Sequence, residues 1–98
     1  MTDEKKVEQQ IKIQDSIPGA EYANLLNVAI SKEEFVLMFA NVVAGSGRVV
    51  GKIMTSPGHL KRIIKALEQS LEKYEQQFKT KVEEAESPKQ EVGFAARD

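Results

Sequence analysis

The sequence predicts an α+β protein: an antiparallel meander of three to four strands followed by one long C-terminal amphipathic helix. Three observations carry this. Apolar runs rich in β-branched and aromatic residues lie between Tyr22 and Thr55, separated by polar or glycine-containing turns, as in hairpin-linked strands. Ser56-Pro57-Gly58 then breaks the pattern. Beyond it Leu60, Ile64, Leu67, Leu71, Tyr74 and Phe78 recur at alternating steps of four and three, the period of a helix with one apolar face or a coiled-coil seam.

Residues 1–10 hold acids, lysines and glutamines around a single valine and read as a disordered lead-in. Ile11-Lys12-Ile13-Gln14 alternates and supplies the candidate fourth strand. Asp15-Ser16-Ile17-Pro18-Gly19 is turn chemistry. From Tyr22 to Ile30, Tyr22, Asn24, Leu26, Val28 and Ile30 share one side of a strand, and Ala23, Leu25, Asn27 and Ala29 the other. After the polar turn Ser31-Lys32-Glu33-Glu34, the run Phe35 to Val43 is apolar on both sides apart from Asn41. Ala44-Gly45-Ser46-Gly47 reads as a hairpin loop. Arg48 to Thr55 is the last strand, with Gly51 marking a bulge or a close backbone approach. Ser56 suits an N-cap and Pro57 the first helical position. The helix is read from Pro57 to about Val82, where Glu83, Glu84 and Glu86 lead to the helix-breaking Pro88. The domain therefore spans 11–82. Residues 83–98 read as a flexible polar tail with an apolar island at 92–96.

Size sharpens the expectation. The chain has 98 residues and no cysteine, so neither disulfides nor thiolate metal ligands reinforce it. A domain this small buries only about 60% of its unfolded-chain surface, and oligomerisation is the common remedy. The helix is expected to cover one face of the sheet, leaving Val36, Met38 and Val42 as an exposed patch of the kind that marks an interface. Those residues, with the helical seam of Leu60, Ile64, Leu67, Leu71, Tyr74 and Phe78, form the candidate interface of a homo-oligomer, most simply a symmetric dimer. No apolar run approaches the roughly 18 residues of a membrane span, and the N-terminus lacks the apolar core of a secretory signal. The cytoplasm is the expected location.

The net charge of −1 conceals a pattern. Residues 1–34 hold four bases and seven acids, and residues 68–98 five bases and eight acids, each giving −3. Residues 35–67 carry five bases and no acid. Those bases, Arg48, Lys52, Lys61, Arg62 and Lys65, join Ser56, Gly58 and His59 at the strand-to-helix junction. Helix N-termini attract anions, so this set is the candidate anion site. The same residues also fit an exposed basic surface or intersubunit pairing, with one copy's basic helix start against another's acidic end. Nucleic acid is the less favoured partner, because no aromatic residues interleave the bases.

Catalytic signatures are missing. His59 is the single histidine, which rules out a pair of histidines as metal ligands. Ser56 lies three residues from it, but the N-cap explains that serine better than nucleophilic chemistry does. Gly45-Ser46-Gly47 lacks the lysine and helix of a phosphate loop. No enzyme activity, cofactor or metal is expected.

Several segments in order carry a resemblance: Tyr22-Ala23-Asn24, Ser31 with Glu34-Phe35 and Leu37-Met38-Phe39, Arg48-Val49, Ser56-Pro57, Lys61-Arg62, Leu67 and Lys73-Tyr74-Glu75. Together they resemble the small bacterial and archaeal family catalogued as domain of unknown function 3467, over roughly Glu21 to Phe78. The resemblance implies strands followed by a helix and assigns no activity. In that family Phe-Gly follows the Tyr-Glu pair; here Lys79 follows Phe78, so the helix is read as running on. At the level of architecture alone, strands followed by a helix also look like the export chaperones of the SecB type. The functional expectation is a homo-oligomeric interaction module of chaperone-like breadth that engages a protein partner through an apolar sheet face or helix groove. The alternative is an anion- or nucleic-acid-binding accessory protein that uses the basic junction.

Overall fold

The computed structural model describes residues 10–86 and Gly93. The lead-in up to residue 9 and most of the tail, with its apolar island, lie outside the described residues. Three strands and one helix follow in chain order: β1 (Leu25–Ile30), β2 (Phe35–Val43), β3 (Ser46–Thr55) and α1 (Pro57–Phe78). The strands form one antiparallel sheet in the order β1-β2-β3. This is the expected meander with its C-terminal helix. Ile11–Gln14 forms no strand.

Local chemistry sets the boundaries. β2 and β3 are joined by Ala44 and Gly45, both at positive φ (54° and 79°), the conformation of a two-residue hairpin turn that matches strand twist. The tight turn lets Ser46 and Gly47 pair with Val43 and Val42, so β3 starts two residues before its expected beginning. β1 begins later than Tyr22: the Asn24 N–H still donates to the Ala40 carbonyl at 3.0 Å, and beyond it the contact with β2 passes to the side chain of Asn24. Its Nδ2 donates to the Val42 carbonyl and its Oδ1 accepts from the Val42 N–H, both at 2.9 Å. The register between β2 and β3 slips between Phe39 and Ala40, whose partners are Gly51 and Val49. The unmatched Val50 makes the bulge that Gly51 signalled.

The helix starts as its sequence indicates. Ser56 Oγ accepts from the His59 N–H at 3.2 Å, and the Ser56 carbonyl from the Leu60 N–H at 2.8 Å. It ends earlier than about Val82. Lys79 adopts the left-handed conformation (φ 50°, ψ 49°), and Thr80 N–H reaches back to the Glu75 carbonyl at 3.1 Å. This is the helix ending that glycine usually provides. The Glu75 carboxylate accepts from Val82 N–H at 2.9 Å and holds the departing chain. A lysine in this conformation is strained by about 1 kcal/mol relative to glycine. Lys79→Gly should therefore raise stability by about that amount in denaturant unfolding, with an unchanged slope.

The helix does not cover the sheet. No residue of α1 is buried, and beyond Leu60 and Ile63, which are half-buried, it stands clear of the strands. The cause is the junction. β3 ends at Thr55, Ser56 is already the cap and Pro57 the first helical residue, whereas strand–helix connections in packed α/β units take about two to six residues. With no loop to turn it, the helix cannot fold back. The result is an open protomer. Only Leu37 and Ala40 form a buried core among the described residues, and the radius of gyration is 18.1 Å, against roughly 13 Å for a compact chain of about 100 residues.

Candidate functional site

Directly opposed residues in a sheet share a face, so the register assigns both faces. One presents Ile30, Phe35 and Thr55, then Val28, Leu37 and Ile53, then Leu26, Phe39 and Gly51. Beyond Phe39 the same side of β2 carries Asn41, which opposes Arg48, so this face is apolar except at its hairpin end. The other presents Ala29, Val36 and Met54, then Asn27, Met38 and Lys52, then Leu25, Ala40 and Val49. Val36, Met38 and Val42, the patch read from the sequence, lie on this second face and are half-buried. Asn27 and Lys52 interrupt it. On the first face Leu26 is 50%, Ile53 54% and Ile30 74% exposed, and on the second Met54 is 62% and Val49 39% exposed. The sequence places Leu26, Val28 and Ile30 on one side of their strand. It does not show that Phe35, Leu37 and Ile53 share that side, because the register across strands has no local signal.

The helical seam is as regular as its spacing suggests. Ile64, Leu67, Leu71, Tyr74 and Phe78 remain between 47% and 65% exposed. The Tyr74 and Phe78 rings pack with centroids 4.8 Å apart, so the C-terminal end of the stripe is aromatic and preassembled. Leu60, at the other end of the stripe, is half-buried.

The basic residues do not form one cluster. Arg48 and Ser56 lie at opposite ends of β3, roughly 26 Å apart at about 3.3 Å per residue. Arg48 is engaged: its guanidinium donates to Glu21 Oε1 at 3.0 Å. Lys52 sits mid-strand, and only His59, Lys61, Arg62 and Lys65 follow Gly58 into the helix. The Ser56 hydroxyl accepts from the His59 N–H and lies 3.0 Å from His59 Nδ1, so both side chains serve the cap. Among the described residues, no three His, Asp or Glu side chains gather as a metal would require. No helix among them is long and apolar enough to cross a membrane.

Two features have no local signal in the sequence. The Glu21–Arg48 ion pair draws residues 21–23 over the hairpin end of the sheet, and Ala23, Asn24, Leu25, Leu26 and Phe39 line a shallow depression there. Asn41, the lone polar residue of β2, keeps its Oδ1 buried without a hydrogen-bond partner.

Fold and surface together define a small α+β protein whose helix and sheet both present unpaired apolar faces. The chain belongs to the family described as protein of unknown function (DUF3467), whose model matches residues 1–81. The match takes in everything from the N-terminus to just past the helix. No curated protein and no solved structure matches the chain.

Proposed function

We propose that this protein is a non-catalytic assembly module of the cytoplasm. Copies pair through α1, and the sheet face of Leu26, Val28, Ile30 and Ile53 then engages a protein partner, with chaperone-like tolerance for extended apolar segments. One observation carries the reading: a 22-residue helix with a continuous apolar stripe and no buried residue. Isolated helices are marginal in water, and burial of an amphipathic face supplies most of their stability in proteins. The sheet does not bury this face, so a second copy is the economical partner.

Charge favours the antiparallel arrangement. Residues 57–67 carry Lys61, Arg62 and Lys65; residues 68–78 carry Glu68, Glu72 and Glu75 against Lys73 alone. The first turn holds no acid and the last no base, so neither end suits its own helix dipole. An antiparallel partner sets each basic half beside an acidic half and an opposed dipole. Such a pairing matches Leu60 with Phe78, Ile64 with Tyr74 and Leu67 with Leu71 across the seam, every layer apolar.

Because the chain has no cysteine, single-cysteine variants give unambiguous spin-label distances. Antiparallel pairing places the backbones at Ser70→Cys about 10 Å apart and those at Lys61→Cys more than about 20 Å apart. Short distances at both positions would mean a parallel pair. Loss of dipolar coupling at both would remove the helix as the contact.

A further inference from the structure

One apolar segment has no role in the protomer. Residues 10–20 form no regular element, and Ile11 and Ile13 stand 82% and 85% exposed. Building on the self-association proposed above, we infer that Ile11–Gln14 of one copy adds as a fourth strand to the outer edge of β1 in a neighbouring copy.

The edge invites it. β1 pairs with β2 on one side only, so alternate residues leave N–H and C=O groups unpaired on the other side. Natural edge strands are normally protected against pairing by charges, proline or bulges. β1 reads Leu-Leu-Asn-Val-Ala-Ile and has no charged or proline residue along its length.

The arm has the matching pattern. In extended form Ile11 and Ile13 fall on one face, and Lys12 and Gln14 on the other. Added to β1, the isoleucines continue the apolar rows of Leu26, Val28 and Ile30. Lys12 then lies on the face of Leu25, Asn27 and Ala29, where β1 offers no charge to oppose it. The β3 edge is the poorer site. With the isoleucines again on the apolar face, Lys12 would share the opposite face with Lys52, and like charges side by side are destabilising.

The geometry directs the arm to another copy. The Glu21–Arg48 ion pair at 3.0 Å draws the chain towards β3, the strand farthest from its own β1 edge. Returning to that edge would require Asp15 to Asn24 to act as a hairpin connection, and such loops usually hold about two to five residues. The family match begins at residue 1 and includes the arm.

A mixed sample of isotope-labelled and unlabelled chains tests this, because isotope-filtered NOEs report only contacts between copies. The expected result is a set of inter-copy NOEs from Ile11 and Ile13 to the Leu26–Ile30 strand, alongside helix contacts between Leu60 and Phe78. Ile13→Pro removes a strand N–H at a residue that contributes little to the protomer. It should erase the arm contacts and speed hydrogen exchange of the outer β1 amides at least tenfold, while the helix contacts persist. Helix contacts without arm contacts, or arm contacts to β3, would overturn the arm inference and leave self-association standing. A folded chain with no inter-copy NOE of any kind would overturn both.

Discussion

Replacing Leu67 and Leu71 together by Asp should dissociate the assembly and melt most of α1 with it. The two leucines are 65% and 49% exposed in the protomer, so roughly half of each side chain is available for burial between copies. At about 1.5–3 kcal/mol for full burial of a leucine, the four leucines of a dimer contribute about 5 kcal/mol. That corresponds to between three and four powers of ten in the dissociation constant. Carboxylates facing one another across an apolar seam add desolvation and repulsion to this loss. A helix left alone in water at this length is marginal, so far-UV helicity should fall together with mass. Gln69→Asp, off the apolar stripe, is the control and should change neither. Unchanged mass and helicity in the double variant would exclude the seam as the contact.

Leu37→Ala should be the most damaging single truncation in the sheet. Leu37 is 7% exposed and sits between Val28 and Ile53 in the register, the one large side chain buried among the described residues. Leucine-to-alanine changes at buried positions cost about 2–5 kcal/mol, a large share of the roughly 5–15 kcal/mol that small domains possess. The urea midpoint should fall by more than about 1 M at a typical slope. Val43, at 65% exposure, is the comparison, since Val43→Ala should move the midpoint little. Equal effects at the two positions would mean that the sheet has no single centre.

What was legible in the sequence follows the reach of each signal. β2 is bounded by Glu34 and Ala44 as its apolar run indicates, because nine apolar-rich residues between turns leave little choice. The helix start was equally plain, since Ser56 and Pro57 act on their immediate neighbours. The helix end was not. Lys79 takes a conformation for which lysine carries no signal, and the side chain and carbonyl of Glu75 enforce it from within the helix. The start of β1 was hidden similarly, because Asn24 reaches across to Val42, a contact between residues far apart in the chain. Strand alternation gave the two sides of each strand but not which sides of different strands coincide. Hence the sequence singles out Val36, Met38 and Val42 on one side of β2, whereas the face shared by Leu26, Val28, Ile30 and Ile53 emerges only from the register. The apolar stripe of the helix predicts that it lies on the sheet, since burial of that face is what stabilises an amphipathic helix. The connection from Thr55 to Pro57 is too short for the sheet to provide that cover.

Sedimentation velocity combined with far-UV circular dichroism over a dilution series distinguishes an obligate assembly from a self-sufficient protomer. If the protomer cannot hide its own apolar stripe, the sedimenting species should be a multiple of the 10.9 kDa chain. Its helicity should then decay on dilution, as stability linked to association requires. A fully helical 10.9 kDa species persisting at low micromolar concentration would contradict obligate assembly.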